Sequence, residues 1–387
     1  MKNISFMICA DAHLDSDFSR DCDIRREEQR LAFERALSMI GEYGIEYMLI
    51  PGDLFDKRCP SRETVSYVKK RFAELRHTKV IITPGEHDPL SVDSPYYEKD
   101  WPDNVYIFPS KKLSMIEFEA RGGRGDYLFQ RDAQETERKG VRFYGAAFEG
   151  HFAKESLLQD EDGRVPKLSP DYLNILVMHG EAGTARSACN PIPEEVLQRC
   201  GFDLCALGHV HTYKKTDRYI YSGVLCPRGF EEQGDCGVVL GEITDDGRLL
   251  TEFMPINIRK YVTVDVDITE AEDLSVDGLC DLINAATDRL LCCRVVLKGA
   301  VKSGERIPID GVQMRLTGNY PIIKVENGTS VEEDFRLIAA ENSLRGLFVK
   351  RLLELQREPK EEEKTKYTRK NTEDAIRIGL QVFDGIL

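Results

Sequence analysis

The stretch Lys79–Pro89 reads KVIITPGEHDP, an apolar run that ends in a glycine and three titratable side chains. The β-branched residues of the run predict a buried strand, and Gly85 predicts the turn that ends it. A turn needs only the glycine and the proline. The additional residues Glu86, His87 and Asp88 therefore predict that this strand end belongs to a site completed by other parts of the chain.

The same arrangement recurs over about the first 255 residues, where apolar runs alternate with helical patterns. Helices are predicted at 25–44 and 62–76, and strands at 4–10, 47–56, 79–88, 141–147, 173–178 and 203–207. This alternation is typical of a layered α/β domain, in which ligands bind at the carboxyl ends of the strands. Polar motifs stand at five such ends: DAH at 11–13, GD at 52–53, GEHD at 85–88, HG at 179–180 and GHVH at 208–211.

Carboxylate and imidazole donors gathered at one sheet edge predict a metal centre. In DAH and GHVH the outer polar residues are two apart, so on an extended backbone both side chains point the same way. Mixed donors of this kind suit manganese, iron or zinc. Eight candidate donors fit two ions bridged by a carboxylate, which can hold a phosphate oxygen and activate a water. His77 and His151 lie outside the motifs and are interpreted as surface residues.

Composition narrows the class of protein. The chain has 387 residues, 11 cysteines and a formal net charge of −14. No apolar run approaches the roughly 20 residues that span a bilayer, and no cysteines form a CxxC pair. We therefore expect a cytoplasmic protein with reduced thiols and no membrane contact. The acidic charge argues against nonspecific coating of nucleic acid but is compatible with a nuclease whose metal site is itself acidic.

A second series of strand and helix signals begins near residue 258. The signals over 258–326 predict a small α/β capping domain, which would follow a catalytic domain spanning 1–257. The segment 332–387 reads as a helical tail interrupted by a charged hinge at 359–371. One helix of this tail has an apolar face that suits either docking onto its own domain or binding a partner: Leu344, Leu347, Phe348, Leu352 and Leu355.

Taken in order, the five motifs resemble those of the calcineurin-like metallophosphoesterases. The longer forms GDLFD at 52–56 and SGVLCPRGFEEQGDCG at 222–237 look like the DNA-repair exonuclease branch of the SbcD type. The resemblance covers roughly residues 1–255 and implies a four-layer-like β-sandwich flanked by helices. It also implies a two-metal-dependent DNA phosphodiesterase, an exonuclease subunit of a repair complex, with manganese as the favoured ion.

The resemblance assigns a role to each motif residue. The implied metal ligands are Asp11, His13 and His211 for one ion, His179 and His209 for the other, and Asp53 as the bridge. His87 would act as a catalytic residue near the leaving oxygen, and Asp88 would orient its imidazole.

Glu86 departs from the family pattern, which has asparagine at this position. Its negative charge would weaken the Lewis acidity of the ion and repel a phosphate, so a reduced rate is expected. Two alternatives remain open: Glu86 binds the second ion, or it turns away and leaves that ion weakly held. The alternative functions are a small-molecule nucleotide phosphoesterase and a binding subunit with a weakened site.

Basic and aromatic residues near the motifs offer substrate contacts. Lys57, Arg58 and Arg62 suit either a nucleic-acid backbone or an ordinary solvated loop. The aromatic residues of the loop at 91–102 suit base stacking or, by preference, packing of the loop onto its domain. In SbcD-type nucleases the tail helices bind the coiled-coil root of an SbcC-like ATPase, so the resemblance implies that partner for 332–387. It also makes the helices at 25–44 and 62–76 candidates for a homodimer interface.

Overall fold

The computed structural model describes residues 3–17, 22–119, 138–160, 162–302, 305–332, 334–357 and 368–383. Most of the charged hinge predicted at 359–371 lies outside these residues. The chain divides into two compact units, Met1–Val262 and Thr263–Leu387.

The first unit is built around two six-stranded mixed sheets. Its elements are β1 (Ile4–Ile8), α1 (Cys22–Tyr43), β2 (Tyr47–Pro51), α2 (Arg62–Glu74), β3 (Lys79–Thr83), β4 (Val105–Ile107), β5 (Ser114–Glu119), β6 (Gly140–Gly145), β7 (Tyr172–His179), β8 (Glu181–Ala182), β9 (Pro191–Ile192), α3 (Glu194–Cys200), β10 (Leu204–Gly208), β11 (Lys214–Lys215), β12 (Ile220–Tyr221), β13 (Gly237–Ile243) and β14 (Leu249–Pro255). A short 3₁₀ turn covers Pro95–Tyr97.

In each sheet, four neighbouring strands run parallel. One sheet has the order β14-β13-β1-β2-β3-β4, with β1 to β4 parallel and β13 antiparallel to both of its neighbours. The other has the order β11-β12-β10-β7-β6-β5, in which β12, β10, β7 and β6 are parallel. Because β1, β2, β3, β7 and β10 all precede a polar motif, their carboxyl ends bring those motifs to one edge of the sandwich.

Alternating side chains explain the layers. Phe6 and Leu49 belong to a core shared with Phe143 and Ile175 of the other sheet, so the two sheets pack face to face. On the outer face of the first sheet, residues such as Met48 pack with residues of α1 and α2, including Phe33 and Phe72. Val196 and Leu197 of α3 cover the outer face of the second sheet. The predicted fold class is confirmed: mixed α/β, with two large sheets flanked by helices.

Several predicted strands are too long at the end that leads to the site. The strand predicted at 47–56 ends at Pro51, and the one predicted at 79–88 ends at Thr83. The reason is visible after Pro51, where Gly52 has φ of +96° and Asp53 has φ of +52°. Left-handed backbone of this kind cannot continue a strand, so the polar motifs occupy loops beyond the strands.

The chain from Tyr261 onward forms further elements. These are β15 (Tyr261–Asp267), α4 (Val276–Ala286), β16 (Cys292–Lys298), β17 (Ala300–Lys302), α5 (Ile309–Leu316), β18 (Ile322–Asn327), β19 (Ser330–Glu332), α6 (Phe335–Ala339), α7 (Leu344–Arg357) and α8 (Arg369–Phe383). Strands β15, β16 and β18 form a three-stranded sheet, and β17 pairs with β19. Among the described helices, none combines the length and apolar character that crossing a bilayer requires.

Candidate metal centre

Three glycines allow the loops of the site to approach one another closely. A Cβ added to Gly52 would lie 2.2 Å from Nδ1 of His179, and one added to Gly85 would lie 2.2 Å from Oδ1 of Asp53. A Cβ on Gly208 would lie 2.0 Å from the carbonyl oxygen of Pro51. Each of these contacts excludes a side chain. The glycines of GD, GEHD and GHVH therefore serve the packing of the polar groups that follow them.

The donors themselves lie on strained backbone. Asp11, His13, Asp53 and His209 have φ angles of 49°, 45°, 52° and 102°. Such conformations cost of order 1–3 kcal/mol each for a non-glycine residue and concentrate at functional sites. The expectation that DAH and GHVH present their side chains from an extended backbone is therefore wrong. Main-chain hydrogen bonds hold the first loop instead, from Asp11 N to Gly52 O at 3.2 Å and from His13 N to Asp53 O at 3.0 Å.

The first donor group consists of Asp11, His13 and His211, whose ligand atoms lie within 4.8 Å of one another. Nδ1 of His211 donates to the Glu232 carboxylate at 2.8 Å. Nδ1 of His13 lies 2.8 Å from Oδ1 of Asp56, in a contact too oblique for a full hydrogen bond. Both carboxylates favour a proton on Nδ1, so the two Nε2 atoms face each other with their lone pairs at 3.2 Å. A cation between them would turn this repulsion into ligation.

His179 anchors the second donor group. Its Nδ1 donates to Pro51 O at 3.0 Å, which leaves the Nε2 lone pair facing Asp53 Oδ2 at 3.5 Å. Nε2 is buried and has no hydrogen-bond partner among the described residues. Nearby, Nδ1 of His209 lies 3.3 Å from Oε1 of Glu86. Two buried acceptors that face each other without a proton between them fit a site for a cation.

Asp53 lies between the two groups. Its Oδ2 is 3.5 Å from Nε2 of His179 and 3.8 Å from Nε2 of His13. Burial and the charge of Asp53 raise the pKa of Asp11 well above its usual range, while burial lowers the pKa of His13 and His179. Carboxylates that repel one another beside neutral imidazoles are the donor set that divalent cations stabilise. The residues present therefore fit two metal ions with Asp53 between them.

The structure decides where Glu86 points. Its side chain faces the second group: one oxygen contacts His209, and the other accepts a hydrogen bond from the thiol of Cys189. Burial alone would raise the pKa of Glu86, but the hydrogen bonds from His209 and Cys189 lower it to about 2. An ionised carboxylate beside His209 is placed to act as a ligand. In this conformation Glu86 faces the second donor group, so it does not turn away from the site as the second alternative expected.

Asp88 has a different role from the predicted one. Its carboxylate accepts hydrogen bonds from the backbone N–H groups of Gly85 at 2.8 Å and Phe55 at 3.0 Å, and from the hydroxyl of Tyr96 at 2.6 Å. Asp56 contacts the His87 imidazole, through its carbonyl oxygen at 3.2 Å and its carboxylate at 3.5 Å from Nδ1. Asp88 thus fixes the loops that carry Asp53 and His87, and it does not orient the imidazole directly.

Sequence reasoning missed residues that support the ligands. Arg228 contacts Asp56 Oδ1 at 2.9 Å and Glu232 Oε1 at 2.8 Å, and its guanidinium lies 3.1 Å from Nδ1 of His211. This network fixes the imidazole rings of the first group. A signal existed for all three of these residues, because Asp56 ends the motif GDLFD and Arg228 and Glu232 lie within the motif SGVLCPRGFEEQGDCG. Cys189, by contrast, stands in no motif that the sequence offered.

The predicted substrate residues lie close to the GD loop. Lys57 forms an ion pair with Asp17 at 2.7 Å, whereas Arg58 and Arg62 are exposed. In the aromatic loop, Tyr96 is buried and stacks on Trp101 with ring centroids 5.9 Å apart. Both rings therefore pack the loop onto its domain, which is the interpretation that the sequence analysis preferred over base stacking.

Both histidines outside the motifs are exposed. His77 lies on the surface, as the sequence analysis interpreted it. His151 is closer to the site than the sequence indicated, because its Nδ1 lies 2.8 Å from the carbonyl oxygen of Glu86.

The fold and the paired donor groups are those of a metal-dependent hydrolase of phosphate esters. Residues 4–213 match the family of calcineurin-like phosphoesterases. The chain therefore belongs to this family, whose members hold two metal ions. It is similar to the uncharacterized metallophosphoesterase YhaO of Bacillus subtilis (strain 168), with 25% identity over 321 residues that cover 77% of this chain and 72% of that protein.

Proposed function

We propose that the protein is a metal-dependent phosphodiesterase that acts on DNA as an exonuclease, with manganese as an activating ion. The observation that carries the proposal is the position of Asp53, whose carboxylate lies between histidines of both donor groups. Two ions held there would bind a phosphate oxygen and lower the pKa of a water for in-line attack. The first ion would be held by Asp11, His13 and His211, and the second by His179, His209 and Glu86.

The charge of the site is compatible with a phosphodiester substrate. Asp11, Asp53, Asp56, Glu86 and Glu232 all lie within or directly behind the two donor groups. The described arginine that contacts this cluster, Arg228, is paired with carboxylates on two sides. Two divalent ions would add four positive charges to these carboxylates and the guanidinium, so a loaded centre would be close to neutral and would not repel the single charge of a phosphodiester.

In this proposal His87 would protonate the leaving oxygen. Its side chain is 38% exposed, so it can reach a bound substrate. Nδ1 is engaged by the carbonyl oxygen of Asp56 at 3.2 Å, and the ring centroid lies 4.8 Å from that of His13. The second ring nitrogen, Nε2, is then the atom that donates. Arg58, exposed on the loop that follows Asp53, and Arg62, exposed at the start of α2, would contact phosphates further along the DNA strand.

For the partner, the helical tail supplies an exposed apolar surface. Val349 of α7 is buried against Ile376 and Leu380 of α8, with Phe348 and Leu352 packed on the same cluster. The exposed residues are Leu344 at 75%, Leu347 at 62%, Ile378 at 58% and Val382 at 58%. We propose that this exposed set binds the coiled coil of an SbcC-like ATPase. Leu344→Ser with Leu347→Ser should abolish co-purification with that ATPase, whereas Leu290→Ser, at a site 82% exposed outside the tail, should not.

The test of the function compares three substrates with and without manganese: linear duplex DNA, bis(p-nitrophenyl) phosphate and p-nitrophenyl phosphate. The proposal predicts metal-dependent hydrolysis of the first two, weak hydrolysis of the third, and loss of all activity in Asp53→Asn. Preferred hydrolysis of the monoester would identify a nucleotide phosphatase instead. Tight DNA binding without hydrolysis would identify a binding subunit.

A further inference from the structure

A cysteine lies beside the second donor group. The ligand atoms of Glu86, Cys189 and His209 all lie within 4.8 Å of one another. The thiol donates a hydrogen bond to Oε2 of Glu86, while Oε1 lies 3.3 Å from Nδ1 of His209. Glu86, the residue that departs from the family pattern, is therefore hydrogen-bonded to a second residue that is able to bind metal.

The backbone holds this thiol in place. The N–H of Cys189 donates to Oγ of Ser187 at 3.0 Å, and its carbonyl oxygen accepts from the N–H of Glu181 at 3.1 Å. Cys189 also forms a bridge with Ala153, and the next residue, Asn190, has both a fixed left-handed backbone and a side chain that donates to His179 O at 2.7 Å. Because both sides of Cys189 are anchored, its Sγ faces Glu86 as a consequence of the fold.

His179 gives independent evidence that a cation belongs here. Its side chain is fully buried, and its Nε2 has no hydrogen-bond partner among the described residues. The His179 and His209 rings lie 5.5 Å apart, edge to face. An unpaired buried polar atom costs about 1–3 kcal/mol, and a cation among these side chains would remove that cost.

We propose that Cys189 is a ligand of the second metal ion, together with Glu86, His179, His209 and Asp53. A thiolate donor favours zinc or ferrous iron over manganese. The first position, with only oxygen and nitrogen donors, would keep manganese, so the centre would hold two different metals. This proposal rests on the proposed function only in requiring that the site binds metal ions.

The proton balance of this binding is simple. In the absence of metal, one proton lies between Sγ of Cys189 and the carboxylate of Glu86. When the cation binds, the S–H bond breaks, a bond from Sγ to the metal forms, and the proton leaves to solvent. The exchange needs no oxidant or reductant.

Cobalt(II) is the probe for this ligand. The metal-free protein, its Cys189→Ser variant and a control variant, Cys59→Ser, would each be titrated with cobalt(II) and followed by absorption spectroscopy. Cys59 is an exposed cysteine of the same unit and so makes a matched control. The proposal predicts a thiolate-to-cobalt charge-transfer band in the near ultraviolet for the unaltered protein and for Cys59→Ser, and its loss in Cys189→Ser. Zinc affinity of Cys189→Ser should fall at least about tenfold.

A second measurement decides the question even if Cys189→Ser fails to fold. The unaltered protein would be alkylated with and without zinc, and labelling would be mapped by mass spectrometry to the peptide that contains Cys189. Zinc should protect Cys189 and leave Cys59 equally reactive. An unchanged cobalt band in Cys189→Ser, or equal alkylation of Cys189 with and without zinc, would overturn the proposal. Neither readout depends on DNA hydrolysis, so failure here is distinct from failure of the proposed function.

Discussion

Oδ1 of Asp56 lies 2.8 Å from Nδ1 of His13, while the carbonyl oxygen of the same residue lies 3.2 Å from Nδ1 of His87. One residue thus contacts both a member of the first donor group, His13, and the histidine that the proposed function makes the proton donor, His87. The Asp56 carboxylate also forms an ion pair with Arg228 at 2.9 Å. Under the proposed function, Asp56 would be a positioning residue that joins the metal centre to His87.

Asp56→Asn tests this positioning role. We expect affinity for the first metal ion to fall about 10–100-fold, because outer carboxylates of ligating histidines contribute that much. Isothermal titration of the metal-free protein measures the change. The control is Asp17→Asn, an exposed aspartate that pairs with Lys57 and should leave the affinity unaltered. Equal affinities in the two variants would contradict the role given to Asp56.

Gly52→Ala should remove the second ion. The new Cβ would lie 2.2 Å from Nδ1 of His179, and φ at this position is +96°. Gly44→Ala is the matched control, since its φ is +62° but a Cβ there meets nothing within 4 Å. Both variants should lose about 1 kcal/mol of unfolding free energy from the unfavourable φ. Only Gly52→Ala should lose further stability and half of its bound metal, as measured by urea unfolding and elemental analysis. Full metal content in Gly52→Ala would count against this packing.

Metal affinity should rise with pH. Burial and Asp53 raise the pKa of Asp11, and a hydrogen bond to Glu86 raises the pKa of His209. A group with a raised pKa keeps its proton at a higher pH in the metal-free protein, and the ion must displace that proton. As pH rises the proton is lost beforehand, so the observed affinity increases. Titration calorimetry in two buffers of different ionisation enthalpy should show proton release that shrinks between pH 6 and pH 8. Affinity independent of pH would contradict the pKa directions.

Tyr96→Phe should destabilise the loops that carry the site. The hydroxyl of Tyr96 donates to Oδ2 of Asp88 at 2.6 Å in a buried environment. Burial and Asp53 raise the pKa of Asp88 to about 7, and the Tyr96 hydrogen bond opposes that rise. Loss of the Tyr96 hydrogen bond should lower the unfolding free energy by about 1.5–3 kcal/mol above pH 7, where Asp88 is ionised. Tyr97→Phe, at a side chain that is 58% exposed, is the control and should change it by less than about 0.5 kcal/mol. Equal changes in unfolding free energy in Tyr96→Phe and Tyr97→Phe would show that the hydrogen bond contributes little.

The fold class and the gathering of polar donors at the strand ends could be predicted because each depends on short-range patterns. The run KVII in β3 and the motif that follows it show both the strand and its polar end within a few residues. What the sequence concealed depends on long-range contact. The left-handed backbone of Asp11 and His13 is imposed by hydrogen bonds to Gly52 and Asp53, roughly forty residues away.

The same reason explains the misassigned role of Asp88 and the absence of Cys189 from the predicted site. Adjacency to His87 suggested a direct contact, but the carboxylate of Asp88 is occupied by backbone donors from two loops and by Tyr96. Cys189 contacts Glu86 across 103 positions of sequence, a separation at which no local pattern indicates contact. Only the packed loops bring these groups together.

The most direct test of the central claim is anomalous scattering from crystals soaked in manganese and zinc chlorides. The paired donor groups predict two peaks about 3.5–4 Å apart. One should lie among Asp11, His13 and His211, the other beside His179 and His209, with the Asp53 carboxylate in contact with both. A single peak, or peaks that leave Asp53 uncoordinated, would contradict it.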